Sequence, residues 1–321
     1  MSYVIAALFS SLLLAFTTAA PAQTYPNRPV HFIIPFAAGG GADAIARPLA
    51  KRLGEILGQQ VIIDNRGGAN GNIGAEQVAR ATPDGYTLLF ANSSLPISVS
   101  LYPNLPFNFV KDFTPVALIS VSASVLIVNP NVEAHSVPEL IALAKKEPGK
   151  LNFGSAGYGS TMHLAGELFK SMTKVDMVHV PYRGAGPVIS DVIGGHLQVV
   201  FINIPPVLAN IRAGNVRALA VTTKKRSAVL PDVPTLDESG LPGFESTTWY
   251  GLLGPAALPE PTVERLNAAI AEALKDEDLR KQLIGFGSEP SPLTPVEFAK
   301  FLQDDIKSWA EVVKLAGPAP N

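Results

Sequence analysis

The chain contains no cysteine among its 321 residues, which removes disulfides, thiolate metal ligands and cysteine nucleophiles together. An excess of charge of one sign is missing too: 25 Lys and Arg stand against 27 Asp and Glu, for a net charge of -2. Nucleic acids and anionic membranes are bound through clustered Lys and Arg. No basic stripe occurs here, and the run at 224–226 is too short to make one, so neither partner is expected. Charged residues make up only 16% of the chain against 47% apolar ones, a balance that favours a buried core over disorder. There is no HExxH, no Walker-type phosphate loop and no histidine cluster. Metal and nucleotide chemistry therefore have no footing, and no cofactor is expected. Solenoid-period repeats and low-complexity blocks are absent as well.

One long apolar run is present, at the N-terminus. Residues 4–20 are apolar or small and uncharged, and Ala20, Pro21 and Ala22 give a small-x-small cleavage pattern. Ser10, Ser11, Thr17 and Thr18 dilute the run below what a membrane anchor needs. Residues 1–22 are therefore predicted to be a cleaved signal peptide that sends the chain to the periplasm, although no Lys or Arg precedes the run.

Beyond it, short apolar runs alternate with glycine-rich loops and helix-like stretches. Strands are predicted at 31–35, 61–64, 86–90, 125–128, 151–153, 177–180, 199–202 and 218–221. Ile45, Leu49, Leu53 and Ile56 fall at helical spacing, with Lys51, Arg52 and Glu55 on the other side. Pro48 conflicts with that helix unless it sits in an early turn or kinks it. Helices are also predicted through Gln77 and Val78, at 137–146 and 162–172, and as two amphipathic helices after Pro261. Continuous apolar strands alternating with helices predict parallel sheet covered on both faces. The pattern restarts in mid-chain, so the fold class is α/β, with two doubly wound lobes. Lobe 1 is predicted at 23–121 and 226–321, and lobe 2 at 122–225.

In an open α/β sheet, ligands bind where loops leave the carboxyl ends of strands and enter helices. Two loops fit. PFAAGGGAD, at 35–43, carries Gly39, Gly40 and Gly41 before a helix. Glycines expose backbone N–H groups, and the helix end adds partial positive charge, which together suit an anion. GSAGYGSTMH, at 154–163, repeats the design and adds hydroxyls at Ser155, Ser160 and Thr161. Either loop alone also fits a tight turn with a helix cap, the less favoured reading; one in each lobe makes a cleft with two facing cradles. Asn92 and Ser93 follow the strand at 86–90, Asn203 follows the strand at 199–202, and Arg183 follows the strand at 177–180. Arg183 suits a second carboxylate or a plain surface charge. His163, in the first turn of a helix, is more often a structural group than a ligand contact.

The runs YPNRPVHFIIPFAAGGGAD, DNRGGANGNIGAEQVARATPDGYTLLFAN, LNFGSAGYGSTMHLAGELF, VPYRGAGP and DVPTLDESGLPGFESTTWYGLLGPAALP, in that order over the mature chain, resemble one family. It is the Bug-type solute receptors, the extracytoplasmic binding component of tripartite tricarboxylate transporters. The resemblance implies a periplasmic binding protein-like fold (type II), two lobes that close on one carboxylate like a Venus flytrap, and delivery to membrane permease subunits. It places Phe36, Ala38, Gly39, Asp43 and Asn92 on the first lobe's side of the cleft. Ser155, Gly157, Ser160, Thr161 and His163 fall on the second lobe's side. Many relatives carry Asp just before the Asn that matches Asn203; Ile202 stands there in this chain, which argues against an α-amino-acid ligand. A monomer is expected, because a receptor must expose its cleft rim.

Two enzymatic readings compete. Gly39, Gly41 and Ala44 match the dinucleotide fingerprint, with Asp64 further along, and would make a nicotinamide-dependent oxidoreductase. Residues 35–38 intervene where that fingerprint turns at once, and export would remove the chain from cytosolic nicotinamide. A hydrolase built on Ser155 and His163 lacks the full nucleophile-elbow pattern and an oriented triad.

Overall fold

The computed structural model describes residues 25–36, 38–102 and 104–316. The signal peptide expected at 1–22 lies outside them. The first half runs β1 (Val30–Ile34), α1 (Gly41–Leu57), β2 (Val61–Asn65), α2 (Asn72–Ala79), β3 (Thr87–Asn92), α3 (Ser94–Leu101) and the long β4 (Phe113–Val128). Then follow α4 (Val137–Lys146), β5 (Asn152–Ser155), α5 (Thr161–Thr173), β6 (Val178–Pro181), α6 (Ala185–Gly194), β7 (Val199–Asn203), α7 (Leu208–Arg212) and β8 (Arg217–Val221). The chain finishes with β9 (Thr247–Pro255), α8 (Glu260–Ala273), α9 (Glu277–Gly285), β10 (Ser288–Pro290) and α10 (Pro295–Ala316).

Two strand sets meet on β4. Its first part, 113–123, pairs antiparallel with β9 and its last part, 124–128, with β7 and β8. On one side β2, β1 and β3 are parallel and β3 joins β9 antiparallel; on the other β6, β5 and β7 are parallel. The sheets are thus mixed where purely parallel ones are predicted. The reason is that β4 and β9 carry the chain out of one half and back into the other, so they run against the strands they join.

Each half has its own core. Phe32, Leu49, Leu53, Phe90 and Leu252 are buried in the first, beneath α1 and α8. Phe153, Phe169, Phe201 and Phe244 are buried in the second, beneath α4 and α5. Residues 226–246, assigned to lobe 1 from sequence, contribute Leu236, Leu241 and Phe244 to the second core. Residue patterning shows α8 as an amphipathic helix but does not mark where pairing returns to the first half, and that return happens at β9. The C-terminal part contains three helices rather than two, since α8 and α9 are separated by the Asp276 cap, whose side chain accepts from Leu279 N–H. α1 runs on through Pro48, which therefore lies in the helix interior and not in the early turn, one of its two expected places.

Candidate functional site

A cleft of about 790 Å3 lies between the two halves. Four helices begin on its wall: Gly41 and Ala42 of α1, Ser94 of α3, Thr161 and Met162 of α5, and Ala185 and Gly186 of α6 all line it. First-turn amides have no carbonyl one turn earlier to bond, so a helix start offers N–H groups and the positive end of a helix dipole. At α3, however, the Ser94 N–H is already taken by Asn92 Oδ1 and Pro96 has none. Among the described residues that line the cleft there is no Asp, Glu, Lys, Arg or His. Attraction for an anion therefore comes from backbone and neutral polar groups.

The first loop is set from behind. Gly40 caps α1 with extended backbone and no side chain, and Gly39 takes φ +82°, a conformation that favours glycine. Asp43, 5% exposed, turns away from the cleft. Its carboxylate accepts from Gly39 N–H at 3.1 Å, from Arg47 at 2.7 and 3.0 Å and from Asn65 Nδ2 at 3.2 Å. Asn65 also donates to Phe36 O at 3.0 Å. The Arg47 bonds hold the Asp43 carboxyl below its ordinary range, despite its burial. Asp43 is thus the brace of the loop, and Arg47 offsets a negative charge that would otherwise oppose an anion at α1. Phe36, Gly39 and Gly40 line the cleft, whereas the exposed Ala38 does not.

The second loop is braced in the same manner. Ser160 caps α5, accepting from His163 N–H at 3.3 Å and donating to Gly157 O at 2.7 Å. Ser155, fully buried, accepts from Gly157 N–H at 3.2 Å and lies 2.6 Å from His179 Nε2. His163 accepts from Gly159 N–H at 3.2 Å through Nδ1, and its ring stacks on His179 with centroids 4.0 Å apart. Burial above all holds both imidazoles neutral, His163 down to about 3 and His179 to about 4. Ser160 and Thr161 line the cleft; Ser155, Gly157 and His163 hold its wall from behind. Ser155 does meet a histidine, His179 rather than His163, but it is sealed from the cleft and fixed in its own turn. That arrangement makes a loop brace and not a nucleophile.

The sheet supplies the floor. Asn92 lines the cleft while its Oδ1 accepts from Ser94 N–H at 3.0 Å, starting α3. Asn203 Oδ1 accepts from Ser124 Oγ at 2.8 Å and Thr248 Oγ1 at 3.3 Å. With its oxygen committed to two donors, Asn203 presents its amide N–H2 to the cleft. Arg183 is exposed and does not line the cleft. Asp64 pairs with His31 at 3.2 Å on β2.

Ser93 also leaves the cleft. It is fully buried, accepts from Trp249 N–H at 2.9 Å and donates to Thr247 O at 3.3 Å, joining the end of β3 to the start of β9. Ser93→Ala strands the Trp249 amide and should lower stability by about 1–2 kcal/mol while ligand affinity stays within twofold. Urea unfolding and a binding titration on the same variant check both halves.

Sequence reasoning missed β9 and with it Thr248 and Tyr250, which line the cleft. The signal lay in the alternation at 247–255, where Thr248 and Tyr250 share one face and Trp249 takes the other.

The chain matches the family model described as "Tripartite tricarboxylate transporter family receptor" over residues 45–317. It is 39% identical over 298 residues to Protein BugT of Bordetella pertussis, covering 92% of this chain and 91% of that one. Among solved structures it is similar to R. palustris Rpa4515 with adipate (TM-score 0.84, 36% identity, 92% of this chain and 100% of that one). It is also similar to MatC (Rpa3494) from Rhodopseudomonas palustris with bound malate (TM-score 0.78, 34% identity, 90% and 99%).

Proposed function

Because this chain belongs to the tripartite tricarboxylate transporter receptor family, we propose that it captures a small carboxylate in the cleft and hands it to permease subunits. The chain is a solute-binding receptor of a transport family and not an enzyme. The observation that carries the reading is the convergence of four helix starts on a cleft whose lining, among the described residues, holds no ionised side chain. A carboxylate satisfies those amides, and each charge-assisted bond contributes roughly 1.5–3 kcal/mol before ordering costs. The adipate and malate in the two similar structures agree with that chemistry. Nothing supports the oxidoreductase alternative: Gly41 already lies inside α1, and Asp64 is engaged by His31.

Two lobes, 25–123 with 247–316 and 124–246, close on the ligand by bending within β4 and where the chain returns just before β9, and the closed form docks on the permease. No helix among the described residues is long and apolar enough to cross a membrane. With the leader at 1–22 removed, the receptor works in the periplasm as a monomer.

A thermal-unfolding screen of the mature chain tests this, with adipate, malate, citrate, glutamate, benzoate and NAD as additives. A carboxylate well above its dissociation constant should raise the midpoint by several degrees. A shift from NAD with silence from every carboxylate overturns the proposal.

A further inference from the structure

Tyr250 is 3% exposed, yet it lines the cleft. Its ring is packed in the first core against Phe90, with centroids 6.1 Å apart. Its hydroxyl reaches the first turn of α1: a Cβ added to Gly41 would sit 2.8 Å from Tyr250 Oη. Glycine at 41 is therefore what lets the phenol approach the helix start. Among the described residues no group hydrogen-bonds that hydroxyl, which opens into the cleft and keeps its donor hydrogen for whatever enters there. Burial pushes the phenol pKa upward, so the group stays protonated and retains its donor hydrogen.

The register explains the direction. Tyr250 stands opposite Asn92 on β3 and Thr248 stands opposite Ser122 on β4. Directly opposed residues of antiparallel strands share a face, and all four line the cleft. The phenol thus joins a polar row on the floor, beside the free amides of Gly41 and Ala42.

We propose that the Tyr250 hydroxyl is a ligand donor and specificity residue, completing with the α1 amides a neutral cradle for one end of the carboxylate. It rests on the receptor reading and deepens it. A phenol at this place rewards an anionic oxygen, which accepts its hydrogen. An ammonium group in the same position finds no carboxylate in the lining and meets a helix end of like sign. The residue therefore selects plain carboxylates over zwitterionic ends.

Calorimetric titration of the full mature chain with adipate, malate, benzoate and glutamate tests this in wild type, Tyr250→Phe, Gly41→Ala and the double variant. Tyr250→Phe should weaken the best carboxylate about 10- to 100-fold, with the unliganded unfolding midpoint unchanged or slightly raised, since the hydroxyl has no partner to lose. Gly41→Ala should weaken binding and lower the midpoint by crowding the hydroxyl. Adding Tyr250→Phe should restore that midpoint while leaving affinity at the Tyr250→Phe level. Wild-type binding of a carboxylate that Tyr250→Phe retains within twofold overturns the donor role alone. Absence of wild-type binding to every carboxylate probe overturns the receptor reading and the donor role with it.

Discussion

His163→Phe should cost stability at pH 7 and gain it at pH 4.5, a swing of about 2–3 kcal/mol relative to wild type. Burial foremost, then the nearby His179 and Lys170, lower the His163 pKa to about 3, from an ordinary 6.5. A histidine lowered in the fold takes up its proton only in the unfolded chain. Its contribution is intact above the unfolded pKa and is lost as pH falls from about 6.5 toward the folded value. Phenylalanine removes that liability. It keeps the ring stack on His179 and Tyr158, whose centroids lie 4.0 and 4.4 Å away, but it cannot accept from Gly159 N–H. The lost acceptor sets the deficit of about 1 kcal/mol at pH 7.

Urea unfolding at pH 7, 5.5 and 4.5 gives the stability difference between the two proteins. A difference that stays constant across that range would falsify the buried neutral histidine. The effect bears on the site, because Gly159 φ is +75° and its α-carbon is closed in by Leu101, so the loop has little freedom once its acceptor goes.

The two cradles were legible because their signals are local. A strand, a glycine-rich loop and a helix start lie within a short stretch at both 30–45 and 152–165, and they form there. Which loop side chains face the ligand was not legible. Asp43 and Ser155 sit in the right loops, yet Arg47 with Asn65 and His179 draw them behind the wall. Nothing in the order of residues along a loop distinguishes a contact from a brace, because the deciding partner lies on another element. β9 was missed for a related reason. Its residues pair with β3 and with 113–123 of β4, far away in sequence, and its glycines at 251 and 254 break the apolar run. Gly251 is required there, since a Cβ would collide with the Phe298 ring and stand 3.0 Å from Ala117 O.

Behind that strand lies the opposite pH response. Trp249 faces away from the cleft, packs edge-on against Phe298 and Phe301 of α10, and donates its indole N–H to Asp305 at 2.8 Å. Burial raises the Asp305 carboxyl to about 7; the indoles of Trp249 and Trp309 pull it down less, and Glu245 pushes it up a little further. A raised carboxyl is fully favourable below its unfolded pKa of about 3.8 and loses that contribution as pH climbs through about 7. Asp305→Asn keeps an acceptor for the Trp249 indole and carries no charge. It should gain about 2 kcal/mol over wild type between pH 4 and pH 8, a figure reduced from the full shift because Asp305 is only half-buried. A gain that does not grow with pH would mean that the carboxyl ionises in the fold at its ordinary value.

The slopes at 163 and 305 have opposite signs, so wild type alone averages them and only the paired variants separate them. They also act on opposite sides of the ligand. Acid weakens the fold around the second cradle by protonating its histidines in the unfolded chain, whereas alkali charges the anchor behind Trp249, the residue next to the phenol of Tyr250. If Tyr250 donates to the ligand, Asp305→Asn should therefore hold the affinity of the protein constant at pH 8 where wild type begins to lose it, and the same titration series reads both effects.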